Sequence, residues 1–328
     1  MAVLARMYPR WGFVCGRIGV LEARLVGRDF FLTLLAEEHV EDVVPHLEDT
    51  FVREHLEPGS AWQDLTAVVD RCFYDLAVSI REDSPSPVPA NLFLLQGDYL
   101  NIRDALAGAA EFAFPPGLLT LETVAAVANG DVADLPSPLR EAARDLSGEA
   151  ADHGPTAWDI ALDGAYLRHL LVLSEQLQAP LVTVCIREKV LAQAVAALWR
   201  AWRQKRSMKL YERWFLPLGG YEAVLSELMA TANFDAWPAI VGGELGDLLA
   251  EAAKRPEDEQ VSQFELLATN YLVRLAKDGQ LQTAGPDRVF SFLVGLYQEM
   301  QNIKLVVCGR LSRIDPVVLR PRVRECYG

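Results

Sequence analysis

The chain has 328 residues, of which 51% are hydrophobic and 23% charged, enough material for a sizeable core. No apolar run approaches the roughly 18 residues that span a bilayer, and a net charge of −14 disfavours non-specific binding to nucleic acid. The five cysteines are scattered and form no CxxC, which sets aside a disulfide frame or a zinc site.

The opening stretch MAVLARMYPRWGF lacks the long apolar core of a secretory signal, so a soluble protein in a reducing compartment is expected. The charge is unevenly spread. Residues 1–36, 187–213 and 302–328 carry +3, +6 and +4, leaving −27 for the rest. Such a dipolar surface suits protein partners of complementary charge.

Nearly every segment has a helical rhythm, and strand signals are scarce. Arg17 to Ala36 is helical, with a break at Gly27-Arg28-Asp29. Helix continues through Val43, Val44 and Leu47, interrupted by Pro45, and again from Trp62 to Ile80. The prolines of REDSPSPVPA predict a loop. The next helix, NLFLLQGDYLNIRDALAG, is ended by Phe114-Pro115-Pro116-Gly117. Thr120 to Asn129 and Pro138 to Leu146 read as short helices, and Tyr166 to Gln178 and Leu181 to Tyr211 as long ones. Gly219-Gly220 and Val241-Gly242-Gly243 mark stops. Val261 to Lys277, Arg288 to Cys308 and Pro316 to about Glu325 complete an all-α chain of about a dozen to fifteen helices.

One pattern is written twice. In GDYLNIRDALAG, Asp98 precedes Asn101 by three residues, Ile102 and Arg103 follow, and Gly108 stands seven after the Asn. In QEMQNIKLVVCG the corresponding residues are Glu299, Asn302, Ile303, Lys304 and Gly309. Asp98 and Asn101 share a helix side with Leu94, Leu95, Ile102 and Ala105, so an acid and an amide sink into an apolar stripe. A buried amide costs about 1–3 kcal/mol unless it is bonded. Each Asn is therefore expected to bond backbone groups of a nearby helix end or turn, with Asp98 and Glu299 at the same junction. Arg103 should keep its head in solvent, and Gly108 and Gly309 should cap their helices. A degenerate middle copy places Glu188 where the acid would be and Leu191 where the Asn would be, and Pro89, Pro180 and Pro286 precede the three copies. Three helical subdomains follow from this spacing, at 1–117, 118–220 and 221–328.

No phosphate-binding loop, zinc-protease motif or calcium loop is present. Gly242-Gly243-Glu244-Leu245-Gly246 lacks a preceding strand and a lysine, and His39, His46 and His55 read better as a solvated acidic helix pair than as metal ligands. No catalytic residue, cofactor site or metal site is assigned. Trp199, Trp202, Arg206, Lys209 and Arg213, read on one continuous helix, share a face with three readings: core tryptophan with solvated bases, a contact surface for an acidic partner, or a stacking surface for nucleotides, which the acidic total disfavours. The C-terminal Arg310, Arg313, Arg320, Arg322 and Arg324 read as a membrane-surface patch or as ordinary helix-end charge.

Leu47-Glu48-Asp49-Thr50-Phe51 and the stretch before it, GRIGVLEARLVGRDFFLTLLAEEHVEDVV, resemble the N-terminal region of the C-type subunits of V-type (A/V-type) ATPases, a family related to the eukaryotic d-type subunits. The likeness continues in NLFLLQGDYLNIRDALAG and FSFLVGLYQEMQNIKLVVCGRL. Phe51-Val52 stands where the family has a Tyr, and Leu191 replaces a polar residue of the middle copy. The resemblance implies an all-helical, funnel-like body of three similar subdomains around a pseudo-threefold axis. It implies a non-catalytic coupler on the cytoplasmic face of the membrane proteolipid ring. There it would receive the rotor stalk and transmit torque for ATP-linked proton or sodium transport, without spanning the membrane. Trp199, Trp202, Arg206, Lys209, Arg213, Arg320, Arg322 and Arg324 would then face rotor subunits. A soluble helical-repeat adaptor is the other reading.

Overall fold

A computed structural model describes residues 2–56, 64–109, 111–112, 114–147 and 155–327. Those residues form sixteen α-helices and short 3-10 turns, with no strand among them. The chain separates into two compact units, one of Met1–Phe93, Ala179–Val182 and Asn270–Gly328, the other of Leu94–Gln178 and Thr183–Thr269.

The first unit is organised around its longest helix. It holds α1 (Ala2–Glu22), α2 (Arg28–Leu34), α3 (Val40–Leu47), α4 (Leu65–Asp83), the start of α5 (Val88–Leu106), α15 (Pro286–Leu311) and α16 (Pro316–Leu319). Helix α15 packs against α1, α2, α3 and α4. Its apolar residues go nearly all the way round, from Val289 and Phe290 to Val306 and Val307, which is what a helix enclosed by others requires. Phe73, Phe93, Phe290 and Tyr297 form a ring cluster there, with neighbouring centroids 5.3–6.0 Å apart.

The second unit contains the rest of α5, with α6 (Leu121–Val127), α7 (Ser137–Ser147), α8 (Pro155–Glu175), α9 (Pro180–Arg203), α10 (Lys209–Phe215), α11 (Glu222–Ala230), α12 (Trp237–Val241), α13 (Gly243–Ala252) and most of α14 (Gln260–Lys277). Helix α8 is covered by α7 and α10. Gly164 lets the backbone of Trp214 come so close that a Cβ would lie 2.6 Å from its carbonyl oxygen.

Several boundaries differ from the sequence reading. Pro45 does not break α3; it sits within an eight-residue helix and forfeits only one backbone donor. The proline-rich stretch is a loop only over residues 84–87, because α5 begins at Val88 and Pro89 occupies its first turn, where no N–H is needed. Helix α1 starts well before Arg17, at Ala2. Trp62 lies outside the described residues, and α4 begins at Leu65. The long helix read from Leu181 to Tyr211 is two helices, α9 and α10, for a reason given below.

Candidate functional site

The two repeated motifs are backbone clasps. On α5, fully buried Asn101 donates its side-chain amide to the Phe114 carbonyl at 2.9 Å and accepts the Phe114 N–H at 3.1 Å. One turn earlier, buried Asp98 accepts the N–H groups of Gly117, Leu118 and Leu119 at 2.9, 2.7 and 3.3 Å. Three successive donors of a non-helical segment are thus satisfied by one carboxylate. Gly117 makes the approach possible, since a Cβ there would overlap the Leu94 carbonyl oxygen and sit 2.8 Å from the Asp98 carboxyl carbon.

On α15, fully buried Asn302 repeats the arrangement. Its amide donates to the Arg324 carbonyl at 3.1 Å and accepts the Arg324 N–H at 2.9 Å. The tail beyond is strapped down further. Asn270 accepts the Glu325 N–H at 2.8 Å, and the Tyr327 hydroxyl lies 2.6 Å from Ser291 Oγ. The Tyr327 ring lies over Gly295, where any Cβ would overlap it.

Glu299 departs from the expectation of a shared junction. Its Oε2 accepts the Val26 N–H at 2.8 Å, in the turn between α1 and α2, while Oε1 is buried without a partner. Burial pushes its carboxyl up to about 8, only partly offset by the Val26 bond and Arg24. The longer side chain on α15 meets a different neighbour, because α1 and α2 pack directly against that helix. The bases diverge as well. Arg103 stays exposed, 3.9 Å from Asp104, whereas Lys304 is half-buried and donates to both oxygens of Asp70 at 2.8 Å.

Gly108 caps α5 at φ +79°, with the Ala109 N–H bonded to the Asp104 carbonyl and the Gly108 N–H to that of Ala105, a Schellman closure. Gly309 does not cap α15. It is buried inside the helix beneath Leu319, and the chain closes one turn later at Arg313, φ +54°, where the Ile314 N–H bonds the Gly309 carbonyl. The same closure ends α9 at Lys205, φ +54°, with the Arg206 N–H bonded to the Ala201 carbonyl. All three motif helices therefore end alike. In the middle one the buried Leu191 stands in the Asn position and has no amide with which to clasp a tail.

That closure dismantles the aromatic-basic face read on a single helix. Trp199 is fully buried and stacks on Phe234 with centroids 4.5 Å apart, and Trp202 lies 5.5 Å from the same ring while donating to the Ala232 carbonyl at 3.3 Å. Trp199 is a core residue of the second unit, and Trp202 is half-buried beside it. Past the turn, Arg206 and Lys209 are exposed, and Arg213 pairs with Asp145 and lies over the Trp214 ring at 5.3 Å. Of the C-terminal bases, Arg320 and Arg322 are exposed and Arg324 is half-buried with its backbone held by Asn302. Arg310 bonds the Leu35 carbonyl at 3.1 Å.

His46 pairs with Glu37 at 3.2 Å and His55 with Asp75 at 3.1 Å, and no cluster fit for a metal occurs among the described residues. Gly242 and Gly243 take φ +66° and +55° in the turn between α12 and α13. The second unit has a cleft of about 240 Å³ bordered by Tyr99, Arg103, Asp159, Asp163, Tyr166 and Glu265. Solvent reaches Asp163 there, yet protein surrounds it; desolvation and then Asp159 push its carboxyl up to about 6.

An all-α scaffold whose long helices bind their own irregular tails is the class these observations define. Residues 14–321 match the family model of the ATP synthase (C/AC39) subunit, so the chain belongs to that family and is a subunit of a V/A-type ATPase. The family is one of non-catalytic subunits, and ion transport is the work of the complex it serves. No curated protein matches the chain. No described helix is long and apolar enough to cross a membrane.

Proposed function

We propose that this protein couples the central rotor stalk of a V/A-type ATPase to the membrane proteolipid ring, on the cytoplasmic side, and transmits torque between them. The family match over residues 14–321 carries the reading. The clasps support it, because a part that bears torque must not creep. Asn101 and Asn302 each lock both backbone groups of one residue, so the irregular segments after the long helices have one register. A division into three related units, 1–117, 118–220 and 221–328, fits the three like-capped helices and is part of the proposal. Arg206, in the turn after α9, and Lys209, at the start of α10, are exposed and are the basic positions assigned to contacts with rotor subunits.

The test is capture from solubilised membranes with the chain tagged. Stalk and proteolipid subunits should come down together, and removing the chain should leave ATP hydrolysis by the head insensitive to a blocker of the ring. Capture of soluble proteins without the proteolipid would point instead to a free-standing adaptor.

A further inference from the structure

The end of the first unit holds bulky apolar side chains out in solvent. Leu311 closes α15, Ile314 follows the left-handed Arg313, and Val317 and Val318 stand on α16, with Val317 73% and Val318 49% exposed. The fold fixes them outward. Leu319 of the same short helix is buried against Gly309, and Asp315 caps the helix by accepting the Val317 N–H at 2.8 Å.

Arginines flank these side chains in the sequence. Arg313, Arg320 and Arg322 are exposed and form no ion pair among the described residues. Elsewhere in the unit arginines do find carboxylates, as in Arg17–Asp83, Arg24–Glu54 and Arg288–Glu22. Asp315 is the one acid between residues 310 and 324, against five arginines, in a chain whose net charge is −14. An anionic surface would repel the molecule as a whole and accept it at this end, which fixes orientation.

Protein anchors are usually Trp, Tyr or Arg side chains set in desolvated pockets. The Leu311–Arg322 stretch combines exposed aliphatic side chains with three exposed arginines and no aromatic residue, a composition suited to dipping between headgroups while arginines bind their phosphates. We propose that the Leu311–Arg322 patch docks this protein on an anionic membrane surface. The docking is independent of the coupling role.

Co-sedimentation of the full chain with vesicles tests this. Binding is expected to phosphatidylcholine vesicles containing about a third phosphatidylglycerol, not to phosphatidylcholine alone, and should fall as salt rises. The pair Arg320→Glu/Arg322→Glu should reduce binding about tenfold or more, and Val317→Ser/Val318→Ser should reduce it even at low salt. All four positions are exposed, so helical content is expected to hold and is checked by circular dichroism. Equal binding to both vesicle types, no binding, or no effect of the valine pair would overturn the proposal. If vesicles are ignored but the same variants lose capture of purified proteolipid ring in neutral detergent, the patch is a protein interface and the membrane reading falls, while coupling stands. Vesicle binding without capture of ring or stalk would sink coupling and leave this proposal intact.

Discussion

Asn302 and Arg324 hold one another across 22 residues of chain, the side-chain amide of the first exchanging two hydrogen bonds with the backbone of the second. An amide has one donor face and one acceptor face at the spacing of a peptide's own C=O and N–H, so it substitutes for a neighbouring strand where none exists. Asn101 treats Phe114 in the same way. A polar residue in an apolar stripe is explained by the segment it fastens.

Removing either amide should be costly. Asn302→Ala leaves the Arg324 N–H and C=O without their partner, as Asn101→Ala does at Phe114. Each substitution should destabilise its unit by about 2–3 kcal/mol, read from urea denaturation, with helical content preserved. A loss below about 0.5 kcal/mol at either site would mean that water replaces the clasp without penalty.

Glu299 gives a prediction in pH. Its folded-state value of about 8 stands above the ordinary 4.5, so the folded chain keeps a proton that the unfolded chain releases. The stability tied to that proton is whole below about pH 4.5 and is lost as pH rises through about 8. Glu299→Gln stays neutral throughout and should gain on the natural chain, by something on the order of a few kcal/mol, between about pH 5 and pH 9. Denaturation midpoints measured across that range check it; parallel curves for the two proteins would show that Glu299 is ionised in the fold.

Gly117→Ala should match or exceed the cost of losing Asn101. The new Cβ would meet the Leu94 carbonyl and the Asp98 carboxyl group, so the segment bonded by Asp98 must lift away. A loss of about 2–4 kcal/mol is expected. Gly108→Ala is the control, with open space around it and only the strain of φ +79°, costing about 1 kcal/mol.

What the chain reveals before folding depends on where the information lies. The all-helical class is written in side-chain period, and the buried asparagines are visible as misfits in that period. Their partners are not, because Phe114 and Arg324 lie on non-helical segments placed by the path of the chain rather than by local pattern. Helix ends were legible where glycine takes the left-handed turn, at Gly108. They were hidden where Lys205 and Arg313 take it, since neither residue type signals that conformation. That silence joins α9 to α10 in a sequence reading and turns one core tryptophan and one half-buried one into an apparent contact face.

The same break yields the sharpest separation of core from surface. Trp199→Ala should cost about 3–5 kcal/mol, because a fully buried indole stacked on Phe234 is replaced by a cavity. Arg206→Glu with Lys209→Glu should change stability by less than about 0.5 kcal/mol, since both side chains are exposed. If those bases meet an acidic rotor subunit, the double reversal lowers the rate of reassembly with stalk and ring, and the deficit shrinks as salt rises because steering is screened. Arg213 is left out of the pair, since its bond to Asp145 would mix a folding effect with a docking one. Reassembly that proceeds at the natural rate in low salt would remove this corner of α9 and α10 from the interface, whatever happens at Trp199.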